Sequence, residues 1–173
     1  MEVQQKVMPT SLADREIIFA LFEQSIHYQQ TKGYNVWKNY DRGVILLDIE
    51  NTRQYKIEID NQIAIVFSIA YEDKIIWRHH DQSKSVYLHR IVVNPAFKGR
   101  KLFGKILEWV IAHGKAKHLD SIRMDTWADN PTLQKYYQQF GFRVVENFIT
   151  PNSTDLPTHN RNLAITLLEY SLN

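Results

Sequence analysis

The length and composition of the chain exclude several classes of protein. It has 173 residues, of which 44% are hydrophobic and 23% charged, and its formal net charge is +2. So small a charge does not indicate nucleic-acid binding. The chain contains no cysteine, which excludes disulfides, thiolate zinc sites and a cysteine nucleophile. We therefore expect one cytoplasmic domain over residues 1–173, without a signal peptide or a membrane span.

Apolar periodicity predicts two helices and then two strands in the first half. The expected elements are helices over residues 11–32 and 42–50, and strands over residues 55–59 and 63–71. Ser11 should cap the first helix, with Asp14 completing an imperfect capping box. Asp60 and Asn61 should turn the two strands into a hairpin. Residues 72–84 are polar and are predicted to form a loop.

The second half alternates strands and helices. The expected elements are strands over residues 87–93, 121–127, 142–148 and 163–168, a helix over residues 98–113 that ends at Gly114, and a helix that starts at Asn130-Pro131. The strand–helix–strand unit over residues 87–127 should pair in parallel through a right-handed crossover. The fold class is therefore α/β, with a mixed, mostly antiparallel sheet, a central parallel strand pair and helices on both faces.

A basic turn follows the strand over residues 87–93. It reads Lys98-Gly99-Arg100-Lys101-Leu102-Phe103-Gly104-Lys105 and leads into a helix. A strand-to-helix turn is a place where backbone amides can hold phosphates. Taken alone, such a turn is also compatible with a solvated run of charges.

Three motifs in this half occur in a distinctive order. They are Leu88-His89-Arg90-Ile91-Val92-Val93-Asn94-Pro95, then Lys98-Gly99-Arg100, and then Asp125-Thr126-Trp127-Ala128-Asp129-Asn130-Pro131 with Tyr137-Gln138-Gln139-Phe140-Gly141-Phe142. In this order and spacing the chain resembles the GNAT superfamily of acetyl-CoA-dependent N-acetyltransferases. The resemblance extends over residues 55–169 by element order and is sharpest over residues 88–142.

The resemblance implies acetyl-CoA as co-substrate, no metal, and direct transfer of the acetyl group to an amine of a small molecule or peptide. The backbone of Ile91 and Val93 would pair with the pantetheine arm, and Asn130 would support the cofactor. Tyr137 would protonate the leaving thiolate. The residues implied for the pyrophosphate are Lys98, Gly99, Arg100, Lys101 and Gly104.

The basic turn departs from the family pattern at two positions. Lys101 and Phe103 stand where the family has small residues that let the backbone approach phosphate closely. They could narrow the site, although the amides themselves survive the change. The alternative function is therefore a non-catalytic acyl-CoA-binding or protein-interaction module.

Each candidate catalytic residue also has a structural interpretation. Tyr137 lies on the same helix face as Leu133 and Phe140, so packing is as well supported as acid catalysis. Asn130 is more simply a helix cap. His89 could relay the amine proton, since histidine ordinarily titrates near neutral pH, but a buried structural histidine is the more frequent case. Glu58 and Glu72 are other conceivable bases.

The remaining signals in the sequence are weaker. His79, His80 and Asp81 resemble a metal cluster, but adjacent residues rarely bind one ion, and we predict no metal site. Tyr34, Trp37 and Trp77 could line an acceptor pocket or pack in the core. As partners we expect an amine acceptor, neither nucleic acid nor membrane, and a homodimer is left open.

Overall fold

The protein is described by a computed structural model over residues 5–33, 40–156 and 160–173. Its helices are α1 Arg15–Thr31, α2 Arg42–Glu50, α3 Lys74–Trp77, α4 Phe103–Ala116 and α5 Pro131–Gln139. Its strands are β1 Val7–Pro9, β2 Gln54–Ile59, β3 Gln62–Ala70, β4 Ser85–Val93, β5 Ser121–Trp127, β6 Arg143–Ile149 and β7 Ala164–Ser171. None of the helices in these ranges has the length and apolar character needed to cross a bilayer.

The strands form one mixed sheet in the order β1-β2-β3-β4-β5-β7-β6. β4 and β5 are parallel, with Ser85 opposite Ser121, whereas β1–β2, β2–β3, β5–β7 and β6–β7 are antiparallel. The predicted α/β class and the predicted parallel pairing across residues 87–127 are confirmed. Backbone contacts divide the chain into two compact units. The single domain stays a prediction.

The first unit comprises Met1–Ile69 and Arg90–Trp109. Its core joins α1 and α2 to β3 and the end of β4 through Ile18, Phe22, Ile45, Ile63, Val66 and Val92. Asp48 of α2 ties these elements together, because one carboxylate oxygen accepts hydrogen bonds from Ser68 Oγ at 2.7 Å and from Arg90 Nη2 at 2.6 Å. Arg90 has φ +49°, which interrupts the alternation of side chains along β4.

The second unit comprises Ala70–His89 and Val110–Asn173. Its core contains Trp77 and Tyr87, both fully buried, packed with Ile165 and Leu167 of β7. A buried polar network lies beside them. Arg123 of β5 donates to Tyr87 Oη at 2.9 Å and to Glu169 at 2.8 Å.

The structure corrects several predicted elements. The helix expected from residue 98 begins at Phe103, and Gly114 lies inside it. A Cβ at Gly114 would lie 2.6 Å from Leu172 Cδ1, so close packing explains this glycine. The predicted loop over residues 72–84 contains α3, which starts where Asp73 Oδ1 accepts from the Ile76 amide. The strand β1 was not predicted.

Candidate active site

The basic turn forms an irregular loop over residues 98–102, directly before the 14-residue helix α4. Gly99 has φ +82° and Lys101 has φ +54°. Lys98 is extended, with φ −58° and ψ 141°, and the Arg100 amide donates to the Phe97 carbonyl at 3.3 Å, so Gly99 occupies the left-handed position of a type II turn. Among the described residues, no backbone carbonyl accepts a hydrogen bond from the amides of Gly99, Lys101 or Leu102. The loop therefore offers these three amides, and the positive end of a helix, to an anion such as a diphosphate.

The side chains of this loop reinforce its positive charge. Lys98, Gly99, Arg100 and Lys101 are all exposed. Lys98 Nζ lies 3.5 Å from the centre of the Tyr28 ring, and its hydrogen bond lowers the pKa of the Tyr28 hydroxyl. Phe103 is only 5% exposed. Its bulk therefore lies in the interior and does not cover the exposed part of the loop.

Ile91 and Val93, the two strand residues expected to pair with pantetheine, belong to the same unit as the loop. Ile91 is half-buried, and Val93 is 37% exposed at the end of β4. Their backbone role stays a prediction.

Asn130 and Tyr137 lie in the second unit, at the start and near the end of α5. Asn130 Oδ1 accepts from the Leu133 amide at 3.0 Å, which confirms its role as a helix cap. Tyr137 is half-buried and packs edge-on against Tyr136 and Phe142. Burial raises the pKa of Tyr137, and Tyr136 and Asp125 raise it further. The hydroxyl therefore keeps its proton at neutral pH and can donate it.

His89 lies near two carboxylates that the sequence analysis did not select. His89 Nε2 is 3.6 Å from Asp73 Oδ2, and nitrogen or oxygen atoms of Asp73, His89 and Asp125 all lie within 4.8 Å of one another. The Tyr87 ring is stacked on the His89 ring, with their centres 6.4 Å apart. Because the three residues come from separate segments of the chain, no local motif could have revealed this cluster.

The other candidate bases are engaged in ion pairs. Glu58 lies 2.6 Å from Lys56 Nζ. Glu72 lies 3.2 Å from Lys74 Nζ, and its side chain is 72% exposed. Neither carboxylate is among the groups clustered around His89.

The histidine pair at residues 79 and 80 meets a distant carboxylate, Glu146 of β6. One Glu146 oxygen interacts with Arg78 Nη2 at 2.6 Å and with His80 Nε2 at 2.9 Å. Because the Arg78 guanidinium already pairs with the Glu146 carboxylate, this cluster disfavours a metal cation.

Of the three aromatic residues considered for an acceptor pocket, Trp77 is a core residue. Tyr34 and Trp37 lie outside the described residues.

Comparisons with known proteins agree on one family. A sequence model described as the acetyltransferase (GNAT) family matches residues 21–142. The chain is 25% identical over 145 residues to the uncharacterized N-acetyltransferase YesJ of Bacillus subtilis, covering 79% of this chain and 81% of that protein.

Solved structures share the fold at low sequence identity. An acetyltransferase of the GNAT family from Listeria monocytogenes superposes with a TM-score of 0.76 at 22% identity, covering 96% of this chain and 94% of that one. The protein yncA from Salmonella typhimurium, solved with its cofactor acetyl-CoA, superposes with a TM-score of 0.68 at 15% identity, covering 97% and 94% of the two chains.

Proposed function

Because the chain belongs to the GNAT acetyltransferase family, we propose that it transfers an acetyl group from acetyl-CoA directly to an amine of its acceptor. The observation that carries this proposal is the loop before α4. Its exposed basic side chains and its position before a helix suit a diphosphate, which acetyl-CoA contains. The structure of yncA with acetyl-CoA supports this choice of co-substrate for a chain of the same fold.

Binding of acetyl-CoA is assigned to two sets of groups. The amides of Gly99 and Lys101 and the cations of Lys98, Arg100 and Lys101 would hold the pyrophosphate, together with Gly104 in the first turn of α4. The backbone of Ile91 and Val93 would pair with pantetheine, and Asn130 would support the cofactor while capping α5. Acetyl-CoA supplies the acetyl group on a thioester, whose sulfur leaves as the new amide bond forms.

Two side chains are assigned to proton transfer. Tyr137 would give its hydroxyl proton to the departing thiolate, because its raised pKa keeps it protonated at neutral pH. His89 would take a proton from the acceptor amine, whose lone pair then becomes available for attack.

The proposal is tested by the thermal midpoint of the protein with and without acetyl-CoA, followed by an assay of free thiol with a panel of amines. Ligand at about a hundred times its Kd stabilises a fold by ~2.7 kcal/mol, which for this size is a rise of roughly 5–10 °C. Arg100→Gln should reduce the rise. The matched control Lys115→Gln, at the far end of α4, should not.

The possible results separate the two candidate functions. A thermal rise together with amine-dependent thiol release supports the acetyltransferase. A rise without thiol release for any amine favours the acyl-CoA-binding module. No rise at saturating ligand would exclude both functions that use acetyl-CoA, and it would favour the protein-interaction module.

A further inference from the structure

A left-handed residue interrupts β4 directly before the residues assigned to the pantetheine arm. Arg90 has φ +49° and lies inside a strand, not in a turn. A side chain with a Cβ disfavours this conformation. Residues other than glycine persist in it only where their surroundings hold them, and such residues concentrate at functional sites. The conformation of Arg90 therefore indicates a function for this part of β4.

The side chain of Asp48 in α2 holds Arg90 in place. Asp48 Oδ2 accepts from Arg90 Nε at 3.0 Å and from Arg90 Nη2 at 2.6 Å. The same oxygen accepts from the hydroxyl of Ser68 at 2.7 Å, and Ser68 is fully buried in β3. Asp48 is itself fixed, because Ile45 and Ile49 bury the same helix in the core of the first unit. The carboxylate is therefore a rigid anchor for the guanidinium.

The residues after Arg90 turn their amides toward a defined edge of the strand. The Asn94 amide donates to the carbonyl of Ala64 in β3 at 2.8 Å, and the backbone of Asn94 is extended. Along an extended chain, the amides of every second residue face the same edge. The amides of Ile91 and Val93 therefore face the edge of β4 that points away from β3.

The left-handed residue decides which amides face that edge. One such residue within a strand shifts the alternation by one position, as a β-bulge does. If residue 90 became extended, the amides of Ile91 and Val93 would turn away from the edge that they now face. Pairing with the pantetheine arm through these two residues therefore depends on the conformation of Arg90.

We propose that Asp48 is a positioning residue for cofactor binding. By holding Arg90 in its left-handed conformation, it keeps the amides of Ile91 and Val93 directed at the pantetheine arm. This inference rests on the proposed function, which assigns those amides to pantetheine. The role needs no contact between Asp48 and the cofactor, because Asp48 acts through residue 90.

The test measures the Kd of CoA, which carries the same pantetheine arm, by isothermal titration calorimetry for Arg90→Ala and Arg90→Gly. Both variants lose the same ion pair, but only glycine adopts a positive φ without strain. Arg90→Ala should weaken CoA binding about tenfold, because few molecules then have the left-handed conformation. Arg90→Gly should stay within about threefold of the unaltered protein. Arg90→Gly should also unfold at a higher urea concentration than Arg90→Ala.

Two further variants test whether Asp48 acts through residue 90. Asp48→Ala alone should weaken CoA binding about tenfold. Added to Arg90→Gly, the same change should have no further effect, because glycine needs no anchor. The matched control is Glu23→Ala, which removes the exposed ion pair between Glu23 and Arg42 of the same unit. It should leave the Kd unchanged.

The results distinguish this inference from the proposed function. Equal CoA affinity in Arg90→Ala and Arg90→Gly would overturn the positioning role, as would a further loss when Asp48→Ala is added to Arg90→Gly. The comparison at residue 90 leaves Asp48 in place, so it remains decisive if Asp48→Ala folds poorly.

An assay of thiol release with amines completes the distinction. Amine-dependent thiol release together with equal affinity in the two Arg90 variants would support the proposed function and overturn the positioning role. Weak CoA binding in Arg90→Ala alone, without thiol release for any amine, would support the positioning role and overturn the proposed function. No saturable CoA binding by the unaltered protein would overturn both.

Discussion

Because Lys101 adopts a left-handed conformation, we predict that its replacement by glycine stabilises the protein. Lys101 is exposed and has φ +54°, a conformation that costs a residue with a Cβ about 1–2 kcal/mol. Lys101→Gly removes this cost. The greater backbone freedom of glycine, however, stabilises the unfolded state by about 0.4–1 kcal/mol. The net gain should be roughly 0.5–1 kcal/mol, or about 1–4 °C in Tm for a chain of this size.

Two further variants test the reasoning by their sign. Gly99 has φ +82°, and no atom lies within 4 Å of a Cβ built there. Gly99→Ala should therefore lose about 0.5–1 kcal/mol through backbone strain alone. Lys105 lies in α4, so the same Lys→Gly change there should cost about 0.7–1 kcal/mol through lost helix propensity.

The assay is urea unfolding of the ligand-free protein, followed by fluorescence, with the three variants compared at equal ionic strength. A lower unfolding free energy for Lys101→Gly would refute the argument, as would an increase of equal size in Lys105→Gly. Acetyl-CoA affinity should fall in Lys101→Gly although stability rises, because a cation of the loop is lost. Folding and binding therefore place opposite demands on this residue.

Three other predictions concern single side chains. Tyr137→Phe should lower kcat roughly a hundredfold and leave the Kd for acetyl-CoA unchanged, because only proton donation is lost. An unchanged kcat would show that Tyr137 serves in packing. Burial lowers the pKa of His113 below its ordinary 6.5, with Lys117 adding to the shift. The unfolded chain therefore takes up the proton first, and stability falls as pH drops below 6.5; His113→Gln should flatten that slope in urea titrations, and an unchanged slope would exclude His113 as the cause. Arg90→Lys should lower the unfolding free energy by about 1–2 kcal/mol, because two N–H groups of Arg90 donate to one oxygen of Asp48. Unchanged stability would show that the lysine ammonium replaces both hydrogen bonds.

The sequence correctly predicted the turns and helix starts that are determined by a few adjacent residues. The hairpin follows from Asp60 and Asn61, which both adopt positive φ as the tight turn requires. The helix α5 starts at Pro131, after the Asn130 cap, because the cap and the proline are adjacent in sequence. Such predictions succeed because the residues that decide the conformation are neighbours in the chain.

The start and the end of α4 could not be predicted for two different reasons. Residues 98–102 carry no residue that forbids a helix, and the left-handed turns at Gly99 and Lys101 appear only in the structure. The local sequence indicates that Gly114 ends the helix. In the structure, its missing side chain leaves room for Leu172 to pack closely. Long-range packing overrides local propensity in the second case.

The cluster of Asp73, His89 and Asp125 could not be predicted from the sequence. Asp73, His89 and Asp125 are distant in sequence, and only the folding of their unit brings them within 4.8 Å of one another. The net charge of +2 sums 21 basic and 19 acidic residues over the whole chain, so it reveals neither the positive loop of residues 98–101 nor this cluster.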